Sequence, residues 1–257
     1  MTMPNELAGL ALGLVVGVVM GLLGGGGSIL AFPIFLYFFH VEQRSAVAMS
    51  LAVVGMSASV GFLGHWRQGS ANLKIGVPFG GFAALAAFLT ARVADRVPEV
   101  VQLSLFAVFA LTAAVVMLVD SLRSRSPAAL DPRIAPHFTP VLALQAIAVG
   151  ALTAIIGAGG GFLIVPALVY LAALGVKEAV GTSLLVITLN ALSGFAGYIG
   201  EVPIDWPLVG SFTGIAAVGA IVGARLNRHV PQVRIKQGFA LLILTLWTFV
   251  MVRSLTN

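Results

Sequence analysis

The sequence predicts an all-α integral membrane protein built from two homologous, inverted-topology repeats. Each repeat holds about five helical segments, one of them a Gly-broken short or re-entrant helix. Three observations carry that prediction: an apolar composition, a glycine-rich interruption that occurs twice, and one constant internal offset. The 257 residues are 59% hydrophobic and 9% charged, with a mean hydropathy of +1.06. Soluble domains run at roughly 45–50% apolar and about 25% charged. No charge falls between Glu6 and Glu42, and similar apolar runs recur to the C-terminus, which excludes a soluble domain of any size. The net charge of +5 would suggest nucleic acid in a soluble chain. Here the positive residues fall in short loops between spans, where they set orientation, so nucleic acid is not an expected partner. The absence of cysteine removes disulfides, thiol catalysis and thiolate metal sites.

The offset is 133 residues and holds without a gap. It aligns Gly24 with Gly157, Gly26-Gly27 with Gly159-Gly160, Pro33 with Pro166 and Tyr37 with Tyr170. Downstream it still aligns Ser50 with Ser183, Ala91-Arg92 with Ala224-Arg225 and Val97-Pro98 with Val230-Pro231. Leu and Val identities mean little in so apolar a chain, but Gly-Gly, Arg and Val-Pro identities at one offset indicate duplication. Repeat 1 is therefore residues 1–120, a Pro-, Ser- and Arg-rich linker covers 121–138, and repeat 2 is 139–257.

The first copy divides by hydropathy into segments at about 6–23, 28–39, 45–64, 75–94 and 99–119, and the second copy repeats them from about 139 to 252. The first segment lacks a basic n-region and a convincing cleavage site, so it reads as a membrane helix rather than a removable signal. Its Gly9, Gly13, Gly17 and Gly21 form a ladder of small residues, echoed by Ala146, Gly150, Ala154 and Ala158. Such ladders let helices approach closely in lipid. The second segment covers only about 18 Å at 1.5 Å per residue, short of a hydrocarbon core about 30 Å thick.

The third segments carry Ser50, Ser57 and Ser59 in one copy and Thr182, Ser183, Thr188, Asn190 and Ser193 in the other. Singly, such Ser and Thr residues often bond a local carbonyl. Asn190 is the best lone side-chain candidate for substrate contact, and Ser50 with Ser183 the best pair. His65, Trp66 and Arg67 read as a membrane interface. The fourth segments repeat a small-residue face, Ala83, Ala87 and Ala91 with Ala216, Ala220 and Ala224, and end at Arg92 and Arg225. Those arginines read as interfacial anchors first and as gates or anion attractors second.

Lys and Arg set the orientation. With an odd number of crossings per copy, ten of the 14 fall on one side and four on the other; with parallel copies the division is eight to six. The positive-inside rule favours inversion, with a cytoplasmic linker.

A glycine break at membrane depth leaves backbone groups without intrahelical partners, tolerated only where protein, water or substrate satisfies them. Glycine also lets a ligand approach the backbone, and the following helix N-terminus attracts an anion. Inverted copies would aim two such termini at one centre, the arrangement of secondary transporters with discontinuous helices. The candidate substrate contacts are thus Gly25, Gly26, Gly27 and Ser28 with Gly159, Gly160 and Gly161, joined by Ser50, Ser183 and Asn190. Tyr37 and Tyr170 are candidate gates alongside Arg92 and Arg225. Neither break is a P-loop, since neither has the Gly-Lys-Ser/Thr lysine, or a dinucleotide motif, since Ile29 and Phe162 stand where glycine is needed. No span carries a central Asp or Glu, and no catalytic, metal or cofactor constellation occurs at membrane depth.

The doubled pattern GLLGGGGSILAFPIF and IGAGGGFLIVPALVY, followed by RSAVAMSLAVV and KEAVGTSLLVI, resembles the sulfite exporter TauE/SafE family, also called the toluene sulfonate uptake permeases. The resemblance covers nearly the whole chain. It implies a multi-pass carrier of a bacterial-type inner membrane for small sulfur-containing anions such as sulfite, sulfonates or sulfoacetate. It supplies no catalytic residues, and the chain is expected to be no enzyme. Ser28 opposite Gly161 makes the two breaks unequal.

Energetics favour export or facilitated diffusion. Moving a dianion outward across about 100 mV gains about 4.6 kcal/mol, a gradient on the order of 10³, without a coupling ion. An anion channel and a proton-coupled uptake permease for organosulfonates are the alternatives. A non-transporting scaffold is a further class, and nothing in the pattern sets an oligomeric state.

Overall fold

The structure is a computed structural model that describes residues 3–23, 27–122, 138–157 and 160–226. Within those residues the regular structure is helical throughout. Nine α-helices are described: α1 (Met3–Leu23), α2 (Ser28–Pro33), α3 (Gln43–Trp66), α4 (Leu73–Val93), α5 (Glu99–Leu122), α6 (Pro140–Ile156), α7 (Gly161–Tyr170), α8 (Val176–Tyr198) and α9 (Trp206–Leu226). The predicted segments reappear with ends shifted by a few residues. The linker core and the last segment of the second copy lie outside the described residues.

Composition and length explain which helices form the frame. Helices α3, α4, α8 and α9 are each long and apolar enough to cross a membrane, because 21 residues at 1.5 Å each span about 31 Å. The short segment predicted at 28–39 is α2 followed by a widened π turn, Ile34–Phe38. It follows Pro33, whose missing N–H interrupts the regular ladder. Helix starts are set by side-chain caps: Asn72 Oδ1 accepts from the Ile75 N–H at 3.2 Å, and Asp205 Oδ1 from the Leu208 N–H at 3.0 Å. These two caps stand 133 residues apart.

The centre of the bundle is α3 against α8. In α3, 72% of the most apolar window is buried and in α8 61%, against 39% in α4 and 44% in α9. Leu51 fills the space beside Gly194 where a Cβ would stand, Leu192 that beside Gly55, and Leu184 that beside Gly61. Early residues of one helix thus meet late residues of the other, so the two run antiparallel. Their crossing brings the stretch around Ser57 opposite the stretch around Asn190.

The small-residue ladders do pack helices, and their partners lie in the other half. Gly17 of α1 rests on the backbone carbonyl of Ala216 in α9, and Gly150 of α6 rests on that of Ala83 in α4. Gly64 meets Ala224, and Gly197 meets Ala91. Each of these contacts reappears with both residue numbers moved by 133 and the halves exchanged. The pairings α1 with α9, α6 with α4, and both α3 and α8 with the other half's fourth helix follow the same exchange. Small side chains make this possible because a side chain at Gly17 or Gly150 would occupy the space of the facing carbonyl.

Candidate functional site

Two glycines with positive φ shape the second interruption. Gly157 caps the C-terminus of α6 at φ 75°, and Gly160 precedes α7 at φ 66°. Both lie in the left-handed region that other residues enter only with strain. The chain then reverses along itself: a Cβ on Gly160 would come within 2.5 Å of Thr153 Oγ1 in α6. In the first interruption Gly27, the residue matched to Gly160, is held against Val16 and Met20 of α1, with φ at −69° rather than in the left-handed region. Gly25, Gly26 and Gly159 lie outside the described residues.

Ser50 belongs to the first half and holds the interruption of the second. Its buried Oγ lies 2.7 Å from the carbonyl of Gly157 and 2.8 Å from that of Val47. One proton shared between two carbonyls makes this hydroxyl a tether for the break rather than a donor aimed at a ligand. Ser183 Oγ donates to Val180 at 2.8 Å, the matched bond in α8. Replacing Ser50 by alanine should lower unfolding stability by about 1–3 kcal/mol, since the Gly157 carbonyl loses its partner. Ser59→Ala, which removes a bond only to Met56 of the same helix, should change little; thermal unfolding of both variants checks this.

Helix ends beside the interruptions are fixed by a matched pair of aromatic donors. Tyr198 donates its hydroxyl to the Ala154 carbonyl at 2.8 Å, and His65 Nε2 lies 3.5 Å from the Gly21 carbonyl. These pairs are again 133 residues apart. His65 is therefore turned inward and buried, whereas its neighbours Trp66 and Arg67 are exposed as an interface would have them.

The strongest polar feature is at the crossing. Asn190 is fully buried, and its amide bonds Thr153 Oγ1 at 2.9 Å through one end. The other end of the amide, Oδ1, has no hydrogen-bond partner among the described residues. Ser57 occupies the corresponding position of α3, is also fully buried, and its Oγ is likewise unpartnered. Buried polar groups left unsatisfied cost about 1–3 kcal/mol each, and natural structures contain few. Ser45, Gln145 and Thr213 also carry a buried polar atom without a described partner, and of the five only Ser57 and Asn190 are matched by the offset of 133. Thr153 connects Asn190 to the start of α7, so the helix N-terminus, a hydroxyl and an amide are contiguous.

The remaining predicted residues fall elsewhere. Ser28 and Gly161 begin α2 and α7. Tyr37 is half-buried in the π turn, and Tyr170 ends α7. Arg92 forms an ion pair with Glu201 at 3.5 Å and lies 5.3 Å over the Phe88 ring. Both partners are half exposed, so the pair contributes little to stability. Arg225 lies at the opposite end of the antiparallel pair, beside Arg67. Sequence reasoning missed Thr153 and the correspondence of Ser57 with Asn190, although the offset of 133 contains the latter.

A helical bundle with four described helices long and apolar enough to cross a bilayer is the architecture of a multi-pass membrane protein, and family membership makes it a membrane transporter. The chain belongs to the sulfite exporter TauE/SafE family, whose model matches residues 9–249. It is 31% identical over 268 residues to a probable membrane transporter protein of Xylella fastidiosa (strain Temecula1 / ATCC 700964), covering 99% of this chain and 98% of the relative. It is 29% identical over 227 residues to the probable membrane transporter protein YdhB of Bacillus subtilis (strain 168), covering 88% of this chain and 92% of that one. No solved structure matches the chain significantly.

Proposed function

We propose that the protein exports or facilitates the passage of small sulfur-containing anions, such as sulfite, sulfonates or sulfoacetate, across a bacterial-type inner membrane. Two inverted halves alternate access to a site at the crossing of α3 and α8. The observation that carries this reading is the pair of buried, unpartnered polar groups on Ser57 and Asn190, beside the N-terminus of α7. The antiparallel crossing of corresponding helices and the exchange of contacts at one offset support inversion.

The chemistry suits an oxyanion. A hydroxyl can either donate or accept, and an amide offers a donor end and an acceptor end. With the Asn190 amide rotated by half a turn from its present bond to Thr153, its oxygen accepts from the Thr153 hydroxyl and its nitrogen is released as a donor. Ser57 supplies a hydroxyl proton from the other helix, and the first N–H groups of α7 add the positive end of a helix dipole. At the position matched to Thr153 the first half has Met20, fully buried. The two halves therefore offer unequal surroundings, polar on the α6–α7 side and apolar on the α1–α2 side. The anionic head belongs on the polar side.

Flux of sulfite and sulfoacetate in proteoliposomes with an imposed potential tests the reading. Saturable efflux that accelerates as the interior is made negative, with counterflow, is the expected result. Non-saturating current would overturn the carrier in favour of a channel. Electroneutral flux that requires a pH gradient would overturn uncoupled passage.

A further inference from the structure

The two ends of the bundle differ in charge where their architecture corresponds. At one end a cavity of about 670 Å³ opens between the last turns of α3 and α9, lined by Arg67, Gln68 and Arg225 above an apolar floor that includes Leu63 and Ile221. The offset of 133 carries Arg225 to Arg92, Gln68 to Glu201 and Arg67 to Gly200. At that counterpart end Glu201 neutralises Arg92. The same architecture thus presents an ion pair at one end, and at the other two guanidinium groups with no carboxylate among the described lining residues.

We propose that the cavity between α3 and α9 is an anion-binding mouth, occupied by an oxyanion held between Arg67 and Arg225. Guanidinium groups match the oxygen geometry of sulfate, sulfonate and phosphate. The volume admits such an ion with part of its hydration shell. Its apolar floor equally admits the first carbons of a phospholipid, so the oxyanion has two sources, dissolved or carried on a lipid. At the opposite end the carboxylate of Glu201 takes the place of the anion. The mouth lies away from the crossing, and the proposal stands apart from the transport reading.

The test uses the full chain in nanodiscs, with radiolabelled sulfate as the dissolved probe and phosphatidylglycerol as the lipid probe. In pure phosphatidylcholine discs, sulfate should bind wild type, and Arg67→Gln with Arg225→Gln should weaken that binding about tenfold or more. Arg67→Lys with Arg225→Lys should retain part of it, and Glu201→Gln should add a second, weaker site at Arg92. Should phosphatidylglycerol raise the thermal stability of wild type but not of the double Gln variant, with no sulfate bound, the oxyanion is a lipid headgroup. Sulfate affinity and phosphatidylglycerol stabilisation both identical in wild type and the double Gln variant would overturn the mouth. Sulfate binding lost in Asn190→Leu but intact in the double Gln variant would overturn it too, while leaving the site at the crossing standing.

Discussion

Gly17→Val and Gly150→Val should each leave the chain unable to assemble its two halves. A Cβ at either position would coincide with the backbone carbonyl of Ala216 or Ala83, and neither carbonyl can rotate away without breaking the helix that carries it. Overpacking typically costs about 1–3 kcal/mol, and more when a rigid neighbour stands in the way. With two further methyl groups on each valine, the expected loss lies at or above the top of that range. That is a large part of the roughly 5–15 kcal/mol by which folded proteins are stable. The measurement is the yield of monodisperse protein and its unfolding midpoint in detergent. Gly81→Val and Gly210→Val are the controls, because a Cβ there meets nothing within 4 Å. Equal behaviour of all four variants would show that α1 with α9 and α4 with α6 do not pack as described.

Asn190→Leu should sharply lower transport while leaving the fold intact. Leucine keeps the branch point and the number of side-chain heavy atoms of asparagine, though its methyl groups are bulkier, and the substitution deletes one bonded and one unpartnered end of the same buried amide. Thr153 then loses its partner, a cost of about 1 kcal/mol that the removal of the unpartnered group offsets. The anion loses a donor in a site shielded from water, where bonds to charged groups are worth about 1.5–3 kcal/mol, so flux at limiting substrate should fall about tenfold to a hundredfold. Initial efflux rates from proteoliposomes, alongside unfolding midpoints, separate the two effects. Retained flux with a lowered midpoint would make Asn190 a structural residue only.

Much of the bundle was legible in the sequence because hydropathy and glycine spacing are one-dimensional signals. The ends of α1, α4 and α5, the short segment after Gly27 and the packing role of Gly17 and Ala83 follow from residue type and period alone. The partner of each ladder does not, since nothing in Gly9, Gly13, Gly17 and Gly21 says which helix they face. Ser50 illustrates the same limit. A serine in an apolar helix announces a hydrogen bond, and only the folded chain reveals that its acceptor is Gly157, 107 residues away. His65 was misplaced because a polar aromatic next to Trp and Arg suits an interface, whereas its buried contact with the Gly21 carbonyl depends on how α1 ends beside α3. Thr153 was overlooked because threonine is common in membrane helices; its meaning comes from Asn190 and Gly160 beside it.

The exchange of partners between halves has a consequence for how the chain is made. The glycine face of α1 cannot be covered until α9 exists, close to 200 residues later in synthesis. Contacts of such long sequence separation form slowly, and unfinished chains expose faces that associate wrongly. The first half must therefore wait in the bilayer with its small-residue surfaces open, dependent on insertion machinery or on lipid to keep them from pairing with other nascent helices.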